Sequence, residues 1–315
     1  MKKDLLTLAD IDLNDLENLF ELTRKMKAER GKSNYRPLAG KSIGMIFAKS
    51  STRTRVSFEV GISELGGNAL YLDESRMQVG RGETVADTAN VLSRYLHGIV
   101  IRTFSHQGVE ELAKVATIPV INALTDEYHP CQILADMFTI LEYSGKVKGT
   151  KLVFTGDCQS NIANSLILGA RLTGMELVFA APEEFKPRAD VIGGASNISW
   201  ESDPVKAAKD ADYLYTDVFV SMGFEEERKI RLEKLMPHQL SMAMVKAAKP
   251  DVKVLHCLPA HRDEEIAAEV MDSNTPSSLM KLKTVSMSRK HFFQCFLTNN
   301  HGHYRNIYTV SERRA

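Results

Sequence analysis

The 315 residues predict an α/β fold of two doubly wound parallel-sheet domains, with the working site expected in the cleft between them. Three observations lead there. Apolar strand-like runs alternate with segments of helical period along most of the chain, the pattern of a parallel sheet covered by helices on both faces. The alternation halts at Gly145-Lys-Val-Lys-Gly149 and then starts again. Each polar stretch with chemical potential follows a predicted strand, where ligands bind in such sheets. The expected domains are residues 1–144 and 145–272, followed by a tail from 273 to 315.

In order, Leu13 to Arg30 predicts an amphipathic helix with Leu13, Leu16, Leu19, Phe20 and Met26 on or near one face. Strands follow at Ile43–Ala48, Ala69–Leu72, Gly98–Arg102 and Pro119–Asn122. Helices lie between them at Val56–Leu65, Val85–Tyr95 and Val109–Val115. Pro130 opens a longer helix, Cys131–Tyr143, at a position where its missing N–H costs nothing. The second domain repeats the scheme with strands at Lys151–Thr155, Leu177–Ala180, Tyr213–Thr216 and Val252–Cys257. Its helices lie near Ile162–Leu172, Val205–Lys209 and Leu240–Ala248.

Apolar residues make up 43% and charged residues 25%, an ordinary globular profile, and no apolar run approaches the ~20 residues that span a bilayer. The start MKKDLLTLADIDL is soon broken by acids and is not a secretory signal. Cys131, Cys158, Cys257 and Cys295 are far apart and form no CxxC pair, which argues against a disulfide framework or structural zinc and fits a reducing cytoplasm. No metal or cofactor is expected, and neither nucleic acid nor membrane as partner.

Between the first strand and its helix stands Ser50-Ser51-Thr52-Arg53-Thr54-Arg55. Free N–H groups and the dipole of a helix start favour an anion; hydroxyls and a two-pronged guanidinium add donors for phosphate. The plainer reading is a Ser or Thr N-cap with solvated arginines. Arg102 closes the Gly98–Ile101 run, where a lone arginine is more often a surface charge. His129-Pro130-Cys131-Gln132 puts an imidazole and a carboxamide at another helix start, although a histidine before proline is commonly a satisfied loop residue. Arg76–Thr84, with Gln78, reads as an exposed loop. Gly156-Asp157-Cys158-Gln159-Ser160-Asn161 follows a strand but lacks the G-x-G-x-x-G spacing of a dinucleotide site. Asp217, in Thr216-Asp-Val-Phe-Val-Ser-Met-Gly223, could face an ammonium group or merely turn the chain.

Together these stretches resemble the aspartate and ornithine carbamoyltransferases over residues 2 to 272. S-S-T-R-T-R-x-S-F-E is similar to that family's carbamoyl-phosphate loop, and the Ser221-Met222-Gly223 triplet and His256-Cys257-Leu258-Pro259 resemble its ornithine branch. The resemblance implies that Ser51, Thr52, Arg53, Thr54, Gln78, Arg102, His129, Pro130, Cys131, Gln132, Cys257 and Leu258 bind carbamoyl phosphate. Arg102, His129, Gln132 and Cys257 would be catalytic; Asn161, Asp217, Ser221 and Met222 would hold ornithine. It also implies a homotrimer or trimer-based oligomer, with Gln78 reaching a neighbouring subunit's site. Carbamoyl phosphate and L-ornithine would be the small-molecule substrates, with L-citrulline and phosphate as products, in arginine metabolism. Alternatives are a carbamoyltransferase for putrescine or another amine, and a catalytically impaired trimer. Two departures stand out: Ser160 replaces the first Asn of a G-D-x-x-N-N segment, and Arg188–Trp200 is too short and glycine-rich for the long helix usual there.

After Asp272 the resemblance stops, and residues 273–315 hold seven Lys or Arg against one acid. With degenerate codons chosen to suit, Leu279–His291 read one nucleotide earlier spells F-D-E-A-E-N-R-L-H-V-Q-K-A, which is similar to the family's ending. The tail therefore reads as frame-shifted, and its basic charge as carrying no binding role.

Overall fold

The computed structural model of the protein describes residues 4–30, 32, 34–49, 51–78, 82–221 and 225–272. The tail from 273, Ser50, Gly80 with its two neighbours, and Met222 with Gly223 lie outside the described residues. Contacts divide the chain into two compact units that part between Ala135 and Asp136. Among the described residues no helix is long and apolar enough to cross a membrane.

The first unit contains α1 (Leu13–Ala28), β1 (Ser42–Phe47), α2 (Thr52–Glu64), β2 (Asn68–Asp73), α3 (Val85–Tyr95), β3 (Gly98–Arg102), α4 (His106–Val115) and β4 (Val120–Leu124). α5 (Pro130–Ser144) begins in it and runs past its boundary. The sheet is wholly parallel, in the order β2-β1-β3-β4. Central strands of such a sheet are covered on both faces, which is why β1 and β3 read as nearly unbroken apolar runs. β2 lies at an edge and leaves Leu70 and Tyr71 exposed. α1 starts at a capping box in which Asp12 and Asp15 exchange side-chain and backbone hydrogen bonds, and it buries Leu16, Leu19 and Phe20.

The second unit holds β5 (Lys151–Thr155), α6 (Asn161–Thr173), β6 (Glu176–Ala180), α7 (Ala189–Ile192), β7 (Ile198–Glu201) and α8 (Pro204–Ala208). β8 (Tyr213–Thr216), α9 (Arg228–Leu235), α10 (Met242–Ala247), β9 (Lys253–His256) and α11 (Ala268–Met271) complete it. Its sheet is also parallel, ordered β7-β6-β5-β8-β9. Leu214 from the sheet packs with Ala207, Leu240, Met244 and Val270 in one core.

Four elements were absent from the expected series: β7, α9 and the single turns α7 and α11. β7 has four residues with only Ile198 buried, too short an edge strand to show alternation. α9, Arg-Lys-Ile-Arg-Leu-Glu-Lys-Leu, buries only Leu235, so it has no apolar stripe to betray it. Between Arg188 and Trp200 the helix is a single turn, α7, stopped by Gly193 and Gly194 at φ 59° and 74°.

The strand orders locate the crevices. In the first sheet the chain goes from β1 to β2 on one side and returns to β3 on the other; in the second it leaves β5 for β6 and returns to β8. Ligands bind beyond the carboxyl ends of strands at such reversals. These are the ends of β1 and β3, and of β5 and β8.

Candidate active site

In the first unit the reversal is flanked by the two stretches singled out from sequence. Ser51 is the N-cap of α2, with its hydroxyl accepting from Thr54 N–H at 3.3 Å. Thr54 is buried, and its Oγ1 accepts from Arg102 Nη1 at 3.4 Å. Arg102 ends β3 and is itself buried, so the guanidinium is held inside the strand-end crevice. Thr52 and Arg53 stand exposed on the first turn of α2. Arg55 turns away: its guanidinium lies 3.8 Å from the Tyr71 ring centroid and 3.4 Å from Glu59. His129 is buried in the loop that ends at Pro130, and Gln132 is fully buried one turn into α5. The Cys131 thiol donates to the Asn122 carbonyl at 3.1 Å, so that side chain faces back toward β4. Gln78 is exposed.

A residue the sequence did not mark, Lys49, ties these ends together. Its ammonium is buried, is paired with Asp126 and lies 4.3 Å from the Phe104 ring centroid. Lys49 follows β1, Phe104 follows β3 and Asp126 follows β4. Backbone bonds run the same way: Ala48 N–H to Arg102 C=O at 2.9 Å, Thr103 N–H to Leu124 C=O at 3.0 Å, and Asp126 N–H to Phe104 C=O at 2.9 Å. The loops bearing Ser51, Arg102 and His129 are thus fixed to one another.

In the second unit, Gly156 sits at φ 120°, and a Cβ there would stand 3.0 Å from the Phe219 ring, so the turn out of β5 requires glycine. Asp157 pairs with Arg231 of α9 at 2.9 Å and accepts from Gln159 N–H at 3.0 Å. Burial nonetheless holds the Asp157 carboxyl above the ordinary aspartate range. Ser160 caps α6 by accepting from Ala163 N–H, and Asn161 is that helix's first residue, half-buried. Asp217 and Ser221 are half-buried in the segment after β8. Burial raises the Asp217 carboxyl, against the opposing pull of His256, the Val218 N–H and the Cys257 thiol.

Cys257 and Leu258 follow β9, next to β8 in the sheet. Leu258 takes φ 58°, uncommon for a branched side chain. Its N–H donates to His256 Nδ1 at 2.8 Å, which leaves the hydrogen on Nε2, and Nε2 donates to Glu265 Oε1 at 2.9 Å. The same oxygen accepts from His261 N–H at 2.5 Å. Burial pushes the Glu265 carboxyl up, but the hydrogen bonds from His256 and His261 outweigh it and hold it low. Among the described residues His261, Glu264 and Glu265 form the one group of potential metal-ligand atoms, within 4.8 Å. Glu264 is paired with Arg228, and Glu265 is spent on the His256 clamp, so these groups serve the loop.

Comparison with known proteins matches both halves. The model for the aspartate/ornithine carbamoyltransferase carbamoyl-P binding domain matches residues 3–142. That for the Asp/Orn binding domain of the same family matches residues 148–281. The chain is 49% identical over 278 residues to the ornithine carbamoyltransferase of Bacillus subtilis, covering 86% of each chain. It is 50% identical over 279 residues to that of Syntrophus aciditrophicus, covering 86% of this chain and 92% of the relative. The solved ornithine carbamoyltransferase of Pyrococcus furiosus superimposes with a TM-score of 0.87 at 45% identity, over 94% of this chain and 96% of that one. On domain order, fold and identity together, the chain belongs to the aspartate/ornithine carbamoyltransferase family.

Proposed function

We propose that the protein transfers the carbamoyl group of carbamoyl phosphate to the side-chain amine of L-ornithine, releasing L-citrulline and phosphate, as a cytoplasmic step of arginine metabolism. The observation that carries this reading is the pairing of Thr54 with Arg102 across the β1/β3 reversal, beside the N-terminus of α2. Hydroxyls, helix N–H groups and a guanidinium there suit a phosphate dianion.

Ser51, Thr52, Arg53 and Thr54 hold the phosphate, with Gln78 as a further contact. Arg102, His129 and Gln132 polarise the carbamoyl carbonyl, with Pro130 and Cys131 forming the turn that presents them. Charge on that oxygen grows as the amine adds, and one well-placed donor to such an oxygen is worth about 3–4 kcal/mol. Asn161, Asp217 and Ser221, with Met222, orient ornithine; Cys257 and Leu258 line the reaction centre. The amine attacks only when neutral, so the rate rises toward alkaline pH.

A homotrimer fits the exposed apolar strip that Val56 and Val60, four residues apart, leave on α2. Citrulline and phosphate assays with L-ornithine, N-acetylornithine, putrescine and L-aspartate as acceptors test the reaction. L-ornithine should give the highest kcat/KM, and preference for putrescine would reassign the acceptor. Light scattering should return three times the 35.2 kDa chain mass.

A further inference from the structure

Tyr215 lies inside β8, wholly buried, and is two residues before Asp217. Its Oη donates to Asp136 Oδ2 at 2.6 Å and lies 3.1 Å from Cys257 Sγ. Asp136 on α5 is 1% exposed. Neither side chain has a part in the transfer outlined above, and burying a phenol and a carboxylate together is expensive unless they serve something.

The proton count is decisive. A phenol has one hydrogen, and a carboxylate only accepts. The 2.6 Å separation is that of a charge-assisted O–H···O⁻ bond, so the hydrogen of Tyr215 is committed to Asp136. Toward Cys257 the phenolic oxygen then offers only lone pairs. The thiol also has one hydrogen, and the Tyr215 oxygen 3.1 Å away is an acceptor within its reach. We propose that Tyr215, held by Asp136, is a positioning residue: it takes the thiol hydrogen of Cys257 and so fixes the direction of that side chain where ornithine binds. Only hydrogen bonds are involved, and no covalent bond is made or broken. Burial, with Asp136 beside it, keeps the Tyr215 phenol protonated well past its ordinary range, so the relay keeps its direction at working pH. The proposal rests on the ornithine reading of the site.

The test uses the intact chain and a mutant cycle. Tyr215→Phe should raise the ornithine KM about tenfold, with the carbamoyl-phosphate KM moving less than about twofold. Asp136→Asn keeps the phenol but supplies an amide donor, which turns the Tyr215 hydrogen onto sulfur; the same ornithine-specific loss is expected. In a Cys257→Ala background Tyr215→Phe should change the ornithine KM no further. An equal loss in both backgrounds marks Tyr215 as structural and overturns the proposal. The S–H stretching band of Cys257, isolated by Raman difference between wild type and Cys257→Ala, gives a readout free of turnover. It should shift in Tyr215→Phe, and an unmoved band overturns the proposal even if activity falls. Absence of ornithine-dependent citrulline from the wild-type chain refutes the ornithine reading instead, and the thiol assignment then stands or falls on that band.

Discussion

Arg53 and Arg55 stand two residues apart at the start of α2, and their neighbours decide which of them can serve a phosphate. Arg55 is committed to Tyr71 and Glu59, while Arg53 is exposed beside the free N–H groups of the first turn. A lysine at 53 keeps the charge but loses the bidentate fork, so Arg53→Lys should raise the carbamoyl-phosphate KM about tenfold or more, and Arg55→Lys far less. Equal effects in steady-state assays would remove Arg53 from the phosphate site. Lys49 makes a second case. Lys49→Met preserves the stem but deletes the ammonium that pins three strand-end loops; the largely exposed Asp126 can return to water. Thermal unfolding should therefore show a modest loss, about 1 kcal/mol or less, alongside a larger fall in kcat. Wild-type kcat would show that the backbone bonds alone hold the loops. Ser51, Thr54 and Arg102 were legible in the sequence because hydroxyls and arginines interrupt apolar runs. Lys49, Asp136 and Tyr215 were not, because a lone lysine, one helical aspartate and a tyrosine inside an apolar strand have no telling spacing. Their meaning comes from contacts 42 to 79 residues away.

At the scale of elements, the departure at Ser160 has a structural answer: serine caps α6 as the family's asparagine could. Ser160→Ala should cost about 1 kcal/mol in denaturant unfolding, and Ser160→Asn close to nothing. A silent alanine variant would mean that water or a neighbouring group replaces the cap. The alternation of strand and helix exposed most elements because strands covered on both faces must be apolar and their helices must carry one apolar stripe. It failed for β7, α7, α9 and α11, which bury one residue each and so lack that signature. Boundaries moved where caps outrank hydrophobic period. α2 begins at Thr52 rather than Val56 because the Ser51 hydroxyl, invisible to an apolar count, satisfies Thr54 N–H. The reversals of strand order lay beyond the sequence pattern, since a parallel series is compatible with several orders and only pairing selects one.

Across the whole molecule basic and acidic residues balance at 40 each, so pH sensitivity turns on individual buried groups rather than on net charge. Among the described residues burial shifts a histidine in each unit. His106 in the first is held below the ordinary value by burial, although Glu110, Glu127 and Asp10 pull it up. His238 in the second is also lowered by burial, against the Ser202 carbonyl and Asp203. A histidine whose folded pKa is depressed binds fewer protons folded than unfolded, so its stabilising effect is complete above about pH 6.5 and is lost as pH falls through the folded value. Asp157 and Asp217 have the opposite sign. Burial raises them, so each favours the fold below about pH 3.8 and loses that contribution as pH climbs through its folded value. Below pH 6.5 the histidines therefore weaken the fold, while protonation of the two aspartates works the other way further down. His106→Asn keeps an acceptor near Thr125, and His238→Gln keeps a donor near Ser202, but neither replacement titrates. Melting curves from pH 8 to pH 5 should fall for the wild-type chain, fall less for either single variant and be nearly level for the double variant. A double variant with the wild-type slope would place the acid sensitivity in other groups and leave both histidines as neutral packing residues across that range.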